Sequence, residues 1–385
     1  MIDSHPAYYW RLAGFYFFYF AFVGMFSPYW SLYLKSIEFN ALEIGVLMSV
    51  QPVMRMLAPA LWGWLADHLG DRRLVVKIAA LGSALCYLGV FFTTNYYGLL
   101  LVLALMSFFW SASMPLVEAT TLTYLGKHSS RYGRLRSWGS VGFIIAVLGL
   151  GLALDYIAIS WILWAGLAIQ LGILYFSRQI PATQLVSHHT DSHSILRIVT
   201  QPQVLALFSA CFMMAVAHGP YYTFFSIYLV EHGYAKSVVG MLWTLGVVCE
   251  IGVFFVMPWL MRRVSLPQVL MVSLALAVVR FLFIAWQIDT LWLLLIAQVL
   301  HAATFGAFHA AAVAMVHHFF RGRHQSKGQA LFGSVTYGAG GMLGGLLSGP
   351  LWLHWGASIM YTFSASAALL GLGLMWWKLR SLNIE

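Results

Sequence analysis

Residues 291–319 read LWLLLIAQVLHAATFGAFHAAAVAMVHHF and contain no Asp, Glu, Lys or Arg. A helix of about 20 predominantly apolar residues is long enough to cross the hydrocarbon core of a bilayer. The apolar residues form a continuous run and do not alternate with polar ones, which predicts a transmembrane helix and argues against a β-barrel strand.

The composition of the whole chain indicates the same class. Of the 385 residues, 61% are hydrophobic and 9% are charged, and the mean hydropathy is +0.81. A soluble domain usually has about 25% charged residues, because its surface must face water. We therefore expect the lipid bilayer to be the main solvent of this protein. Twelve spans would use about 240 residues, which leaves short loops and no soluble domain.

Clusters of charged and turn-forming residues divide the chain into twelve apolar segments. These predicted spans lie near 9–34, 43–66, 74–94, 97–124, 134–155, 159–177, 203–230, 237–261, 267–286, 291–319, 329–352 and 357–377. The polar stretch 179–202 is expected to be a central cytoplasmic linker. It contains His188, His189 and His193, which we interpret as loop residues rather than metal ligands because no fixed donor set accompanies them.

The two halves repeat with an offset of 195 residues. Ser31-Leu32-Tyr33-Leu34 matches Ser226-Ile227-Tyr228-Leu229, and Gly45 matches Gly240. Because corresponding spans run in the same direction, the repeat is parallel, an arrangement typical of transporters that expose a midplane site to each side in turn. The predicted fold is all-α and integral to the membrane, with six-helix bundles at 1–178 and 203–385.

The basic residues predict the orientation and argue against nucleic-acid binding. Of the 21 Lys and Arg residues, Lys35 and Lys236 fall on one side, Arg55 and Arg280 lie within spans, and the rest fall on the other side. The positive-inside rule makes that richer side cytoplasmic and places both termini there. Residues 1–8 lack the basic region and cleavage site of a signal peptide, so the first span is expected to be retained. A bacterial-type inner membrane is the expected location.

Ionisable groups within the spans are the candidate functional residues, because burying a charge in a membrane is costly. Glu118 and Arg136 lie nine residues either side of Lys127 in a helical hairpin, so they are expected to pair, either as a structural salt bridge or as a polar floor for a substrate. Arg55 and Glu250 are 195 residues apart and occupy equivalent positions. We expect them to face a shared cavity rather than separate structural networks.

The second half contains further candidates. His301 and His309 are eight residues apart on the tenth span and roughly share one face. A proton-handling role and simple hydrogen bonding to neighbours both fit this spacing. The sequence His218-Gly219-Pro220 is expected to break the seventh span and to free a carbonyl near residue 216. Tyr221, Tyr222, Arg280 and Arg55 are expected to contact a substrate, and the two arginines could meet a carboxylate.

The segment between the second and third spans matches a known signature. Gly63-x-Leu65-x-Asp67-x-x-Gly70-x-Arg72-Arg73 resembles the loop motif of the major facilitator superfamily. The resemblance implies the twelve-helix fold of that superfamily. It also implies that Asp67, Arg72 and Arg73 latch helix ends during gating and do not bind substrate.

Further motifs resemble the phenylpropionate permease group, which is related to lactose permease. The matching segments are 132–140, 242–250 and 301–311, together with Val117-Glu118-Ala119. The resemblance implies substrate binding by Glu118 and Arg136, and coupling of binding to protonation by Glu250, Arg280 and His301. Gln298 and Thr304 stand where lactose permease has a lysine and a carboxylate. Glu250 with His301 or His309 is therefore expected to supply a different proton path.

The sequence thus predicts a proton-coupled symporter that imports a small aromatic carboxylate such as 3-phenylpropionate. A proton symporter for a neutral sugar or a nucleoside is the alternative, since Glu118 and Arg136 would also suit hydroxyl groups. An intramembrane enzyme is not favoured, because no acid, base and nucleophile converge. No metal or cofactor is predicted, the proton gradient is the expected energy source, and a monomer is expected.

Overall fold

A computed structural model describes residues 6–181 and 195–379 of the chain. His188, His189, His193 and the two chain termini lie outside these described residues. The described chain is helical, and its α-helices are α1 Pro6–Ser36, α2 Ala41–Leu69, α3 Arg72–Tyr87, α4 Tyr96–Leu125, α5 Tyr132–Leu154, α6 Trp161–Ser177, α7 Leu196–Val199, α8 Pro202–Glu231, α9 Lys236–Leu260, α10 Leu266–Trp286, α11 Leu291–His301, α12 Phe308–Phe319, α13 Gln325–Gly333 and α14 Gly341–Leu379.

Ten helices of the described chain are long and apolar enough to cross a membrane. One of them, Gln325–Leu379, has 55 residues and comprises α13, a π-helical turn and α14. It is interrupted at Gly356, where φ is 78°. Glycine adopts this left-handed conformation without a Cβ clash. The interruption falls between two of the predicted spans. Trp161–Ser177 is apolar but shorter. The all-α, multi-pass prediction is confirmed, and the count of twelve spans stays a prediction.

The chain contacts group into two units. One unit comprises Met1–Phe39 and Val53–His188, and the other comprises Asn40–Pro52 and His189–Glu385. The first turns of α2 therefore group with the second unit, whereas the predicted bundles divide at the central linker alone. The predicted domain limits themselves stay a prediction.

In the first unit, α1 packs against both α5 and α6. Glycines allow the backbones of α1 and α5 to come close: a Cβ added to Gly24 would lie 2.7 Å from the carbonyl oxygen of Phe143, and one added to Gly142 would meet the backbone of Phe17. Small residues at a helix interface have this effect in membranes. The Tyr29 hydroxyl donates to the Val147 carbonyl at 2.6 Å and ties the same two helices together.

In the second unit, α14 packs along α8 and α10. The prediction that Pro220 breaks its span is wrong, because α8 runs without interruption from Pro202 to Glu231. Pro220 has no N–H to donate to the carbonyl of Val216, and this carbonyl lies against Gly344 of α14. A proline is tolerated inside a membrane helix when a neighbouring helix packs against the carbonyl that it leaves unpaired.

Two π-helical turns interrupt the helices of the second unit. Ala302–Ala307 joins α11 to α12, and Ser334–Gly340 joins α13 to α14. The rings of Phe305 and Tyr337, one in each turn, have centroids 6.4 Å apart. Turns of this kind are frequently found at functional sites, which makes the side chains around them candidate functional residues.

Candidate functional site

The first unit brings together the predicted pair at the hairpin of α4 and α5. Arg136 Nε lies 4.0 Å from Glu118 Oε1, and the two side chains are 32% and 38% exposed. The Tyr132 hydroxyl donates to the same carboxylate oxygen at 2.9 Å. Exposed ion pairs contribute about 0–1 kcal/mol to stability. The pair is therefore a weak structural link, and its polar atoms remain accessible to a solute.

Aromatic rings flank the guanidinium of this pair. The Arg136 guanidinium carbon lies 3.7 Å from the centroid of the Phe20 ring and 5.9 Å from that of Tyr16. Tyr16 is buried and its hydroxyl is 3.1 Å from that of Thr121. A cation over aromatic rings is attracted to their π faces and is held in place by them.

Arg55 of α2 forms a second aromatic–cation site in the first unit. Its guanidinium carbon lies 5.3 Å from the ring centroid of Trp110, and Trp110 stacks on Tyr19 at 4.3 Å with an interplanar angle of 10°. Trp110 is buried, whereas Arg55 is exposed. Within the described part of the chain Arg55 makes no ion pair. The site thus offers a cation next to an aromatic surface.

The second unit contains a buried polar cluster centred on Arg280 of α10. The side chain of Arg280 is fully buried. Its Nε donates to the Ala297 carbonyl at 3.0 Å, and its Nη1 contacts His218 Nε2 at 3.1 Å and the Thr304 hydroxyl at 3.4 Å. Three helices and the π turn Ala302–Ala307 therefore hold the guanidinium in place. Arg280, predicted as a substrate contact, is not exposed in this conformation.

Tyr221 links the cluster to His301. Its ring lies 4.3 Å from the Arg280 guanidinium carbon and stacks on His301 at 5.7 Å. Its hydroxyl donates to Gln298 Oε1 at 2.9 Å. His301 is 6% exposed, and Tyr222 is half-buried. Tyr221 therefore acts as a wall of the arginine site, and Tyr222 is the more accessible of the two tyrosines.

The predicted shared face of His301 and His309 is present as a stack of rings. His301 stacks on Phe305 at 5.3 Å and 16°, and Phe305 lies 6.5 Å from His309 at 15°. The π turn between the histidines has more residues per turn than an α-helix, which brings positions eight apart closer to one face. His309 Nδ1 lies 2.6 Å from the Tyr337 hydroxyl.

Glu250 of α9 packs against the same π turn. A Cβ added to Gly306 would lie 2.9 Å from Glu250 Cγ, so glycine at 306 gives this carboxylate side chain its room. Glu250 is half-buried. The predicted proton-coupling residues Glu250, His301 and His309 thus all contact one structural element.

The structure does not bring together the three predicted gating residues. Asp67 is exposed near the end of α2 and, among the described residues, makes no ion pair with Arg72 or Arg73. Arg73 instead donates through Nη2 to the Arg178 carbonyl at 3.3 Å. Arg73 also lines a surface cavity of about 470 Å³ with side chains from the ends of α1 and α6. It is Asp71 that caps α3, by accepting from the Leu74 amide at 3.1 Å.

Sequence reasoning did not assign roles to several members of these sites. Five side chains contact the predicted residues, and these contacts are between residues far apart in the sequence: His218, Gln298, Thr304, Tyr337 and Trp110. His218 is 62 positions from Arg280 and Trp110 is 55 from Arg55. One signal was available for His218 and Gln298: both are polar residues within predicted spans, which are functional candidates by default.

Comparison with known proteins identifies the class to which these features belong. The MFS_1 like family matches residues 9–364. A relative from Escherichia coli (strain K12), described as a probable 3-phenylpropionic acid transporter, is 30% identical over 365 residues, which cover 93% of this chain and 94% of the relative. Maltose permease from Geobacillus stearothermophilus is 26% identical over 93% of this chain and 91% of its own.

Solved structures show the same fold. A crystal structure of a mutant of the nucleoside transporter NupG aligns with a TM-score of 0.86 and 17% identity, and it covers 97% of this chain and all of that chain. A bacterial homologue of the human lysosomal transporter Spinster aligns with a TM-score of 0.66 and 13% identity. The family and these relatives are transporters and not enzymes. The chain is a multi-pass membrane protein that belongs to the MFS_1 like family, within the major facilitator superfamily.

Proposed function

We propose that the protein is a proton-coupled symporter that imports a small aromatic carboxylate such as 3-phenylpropionate across a bacterial inner membrane, with both termini in the cytoplasm. The observation that carries the substrate assignment is the exposed Arg55 next to the Trp110 ring. A guanidinium holds a carboxylate through two parallel hydrogen bonds, and the buried indole of Trp110, which stacks on Tyr19, keeps the Arg55 guanidinium next to an aromatic cluster. The name of the relative at 30% identity points to the same substrate class.

The proton-coupling part of the proposal assigns Glu250 as the titrating carboxylate, with His301 and His309 as its partners. Glu250 and the two rings contact the same π turn, so a change of charge on one can be transmitted to the others through that turn. We further propose that Asp67, Arg72 and Arg73 act in gating, where Asp67 forms an ion pair with a basic side chain in a conformation other than this one as helix ends move.

A neutral sugar or nucleoside is a second candidate substrate, and a specific observation favours it. The Glu118–Arg136 pair with the Tyr132 hydroxyl presents both acceptors and donors, as hydroxyl recognition requires. The maltose and nucleoside transporters among the relatives fit this reading.

Competition distinguishes the two candidates. Vesicles containing the purified protein are preloaded with unlabelled 3-phenylpropionate, and exchange of external labelled 3-phenylpropionate is measured with lactose or uridine as competitors. The proposal predicts that unlabelled 3-phenylpropionate competes and that lactose and uridine do not. Exchange of labelled lactose or uridine in vesicles preloaded with the same unlabelled compound, without exchange of the aromatic acid, would move the assignment to the second candidate.

A further inference from the structure

The contact between Arg280 and His218 defines which ring nitrogen of the histidine carries a proton. A guanidinium has only donors, so His218 Nε2, 3.1 Å from Arg280 Nη1, must accept. His218 Nδ1 lies 2.8 Å from the carbonyl of Met214, which has only lone pairs to offer. The Nδ1 atom must therefore donate. The two bonds together require a neutral His218 with its proton on Nδ1.

A second proton on this ring is incompatible with the arginine contact. It would have to bind Nε2, because Nδ1 already carries one. Two N–H groups would then face each other, with two positive charges about 3 Å apart in a site that excludes water. A proton and the Arg280 guanidinium thus compete for the same lone pair.

We propose that this competition couples proton binding to substrate binding: protonation of His218 breaks its contact with Arg280 Nη1, and the guanidinium, still held through Nε by the Ala297 carbonyl, then binds the substrate carboxylate through the freed nitrogen. The inference rests on the proposed function for the anionic nature of the substrate, and it adds His218 as the residue that positions the arginine. When His218 is neutral, Arg280 is buried and engaged. When His218 is protonated, Arg280 needs a new acceptor, and a carboxylate provides one.

The groups around His218 leave few other partners for the released arginine. The titratable or charged side chains that face this site come from five helices and are Tyr221 and Tyr222 on α8, Glu250 on α9, Arg280 on α10, His301 on α11 and Tyr361 on α14. Only Glu250 among them is an acid, and it packs against Gly306. Phe281 and Phe305 complete the surroundings of the imidazole with apolar rings.

Linkage makes the proposal quantitative. If one proton binds with each substrate carboxylate, the apparent affinity for the substrate increases as the pH falls, by up to about tenfold per pH unit. By reciprocity, substrate binding must also increase proton uptake. The pH dependence of binding should disappear when position 218 can no longer titrate. Glu250, through which we propose that this proton reaches and leaves His218 during transport, should affect accumulation but not the pH dependence of binding.

His218→Gln tests this point, because its amide oxygen can still accept from Arg280 but the side chain cannot bind a proton. The dissociation constant for 3-phenylpropionate is measured with purified protein between pH 5.5 and 8. We expect it to decrease as the pH is lowered in the wild type and to stay nearly constant in His218→Gln. His354→Gln is the matched control, since His354 is exposed, and should retain the wild-type pH dependence. A wild-type pH profile in a folded His218→Gln variant would overturn the proposal.

A measurement without substrate covers the case in which His218→Gln does not fold. At neutral pH, nitrogen NMR of histidine-labelled protein should show Nδ1-protonated rings for His218 and His232, whose Nδ1 atoms lie 2.8 Å and 2.9 Å from carbonyl oxygens. Arg280→Met should convert only the His218 signal to a mixture with the other tautomer or the imidazolium. A wild-type His218 that is charged or protonated on Nε2 at neutral pH would refute the inference. If the NMR result is as expected but 3-phenylpropionate does not bind at any pH, the proposed substrate is wrong and the arginine–histidine contact stands.

Discussion

Replacing Arg55 with lysine gives a sharp test of the proposed carboxylate anchor. Arg55 is exposed and lies over the buried ring of Trp110. A bidentate guanidinium makes two charge-assisted hydrogen bonds to a carboxylate, each contributing about 1.5–3 kcal/mol. Lysine keeps the charge and one such bond, but it lacks the planar fork.

The expected loss is therefore one hydrogen bond. About 1.5–3 kcal/mol corresponds to an increase in the dissociation constant of about 10- to 150-fold. Because Arg55 is exposed, water can replace part of the lost contact, and we expect the lower end, about tenfold. Arg55→Gln removes the charge as well and should weaken binding further.

The assay is equilibrium binding of labelled 3-phenylpropionate to purified wild-type, Arg55→Lys and Arg55→Gln proteins. Arg262→Lys is a matched control, because Arg262 is exposed in the turn after α9 and has no proposed role. Its affinity should equal that of the wild type. If both Arg55 variants bind the acid as tightly as the wild type does, Arg55 is not the anchor and the carboxylate is held elsewhere, with Arg280 as the next candidate and Arg136 after it.

Three further outcomes are expected. Asp67→Asn should slow transport with little change in substrate affinity, because Asp67 is exposed at a helix end; a large loss of affinity in a folded variant would contradict gating. Gly344→Ala should lower the midpoint of thermal unfolding, since the added methyl group meets the Val216 carbonyl and the Gly219 backbone and such overpacking costs about 1–3 kcal/mol. Gly373→Ala on the same helix has nothing within 4 Å and should leave the midpoint nearly unchanged; equal effects would refute the packing argument. Reporters fused after Glu385 or in 179–202 should score cytoplasmic, and an external score for either would reverse the orientation.

The positions of the helices were largely predictable because the signals that end them are local. The predicted span 203–230 corresponds to α8, Pro202–Glu231, and the predicted span 267–286 to α10, Leu266–Trp286. Ser265 and Gln268 form a capping box at the start of α10, and Asn40 and Glu43 form the same arrangement before α2. Short-range hydrogen bonds of this kind are encoded within a few residues.

The behaviour of Pro220 was not predictable, because it depends on another helix. Proline removes the donor that the Val216 carbonyl would use, and the local rule then favours a break. In the structure that carbonyl lies against Gly344, which is 128 positions away. The π turns were missed for a related reason, since the packing that stabilises them involves side chains from separate helices.

The candidate site was predictable in part. Scarcity of charge in the spans was enough to single out Glu118, Arg136, Arg280 and Glu250, and the hairpin geometry correctly placed Glu118 next to Arg136. Which group faces Arg280 was not deducible from spacing. The partner His218 follows only from the packing of α8 against the helices around it, and so does the protonation state that its two hydrogen bonds require.

The central claim is that a proton gradient drives uptake of an aromatic carboxylate through Glu250. The direct measurement is accumulation of labelled 3-phenylpropionate in vesicles with an alkaline interior, compared with protein-free vesicles because the neutral acid can cross lipid by itself. Before the passive distribution is reached, wild-type protein should accumulate the label faster than protein-free vesicles do, and a protonophore should abolish the gain. Glu250→Gln, which cannot titrate, should still exchange labelled for unlabelled acid but should not accumulate it. Full gradient-driven accumulation by Glu250→Gln, or wild-type accumulation that persists with the protonophore, would contradict the account.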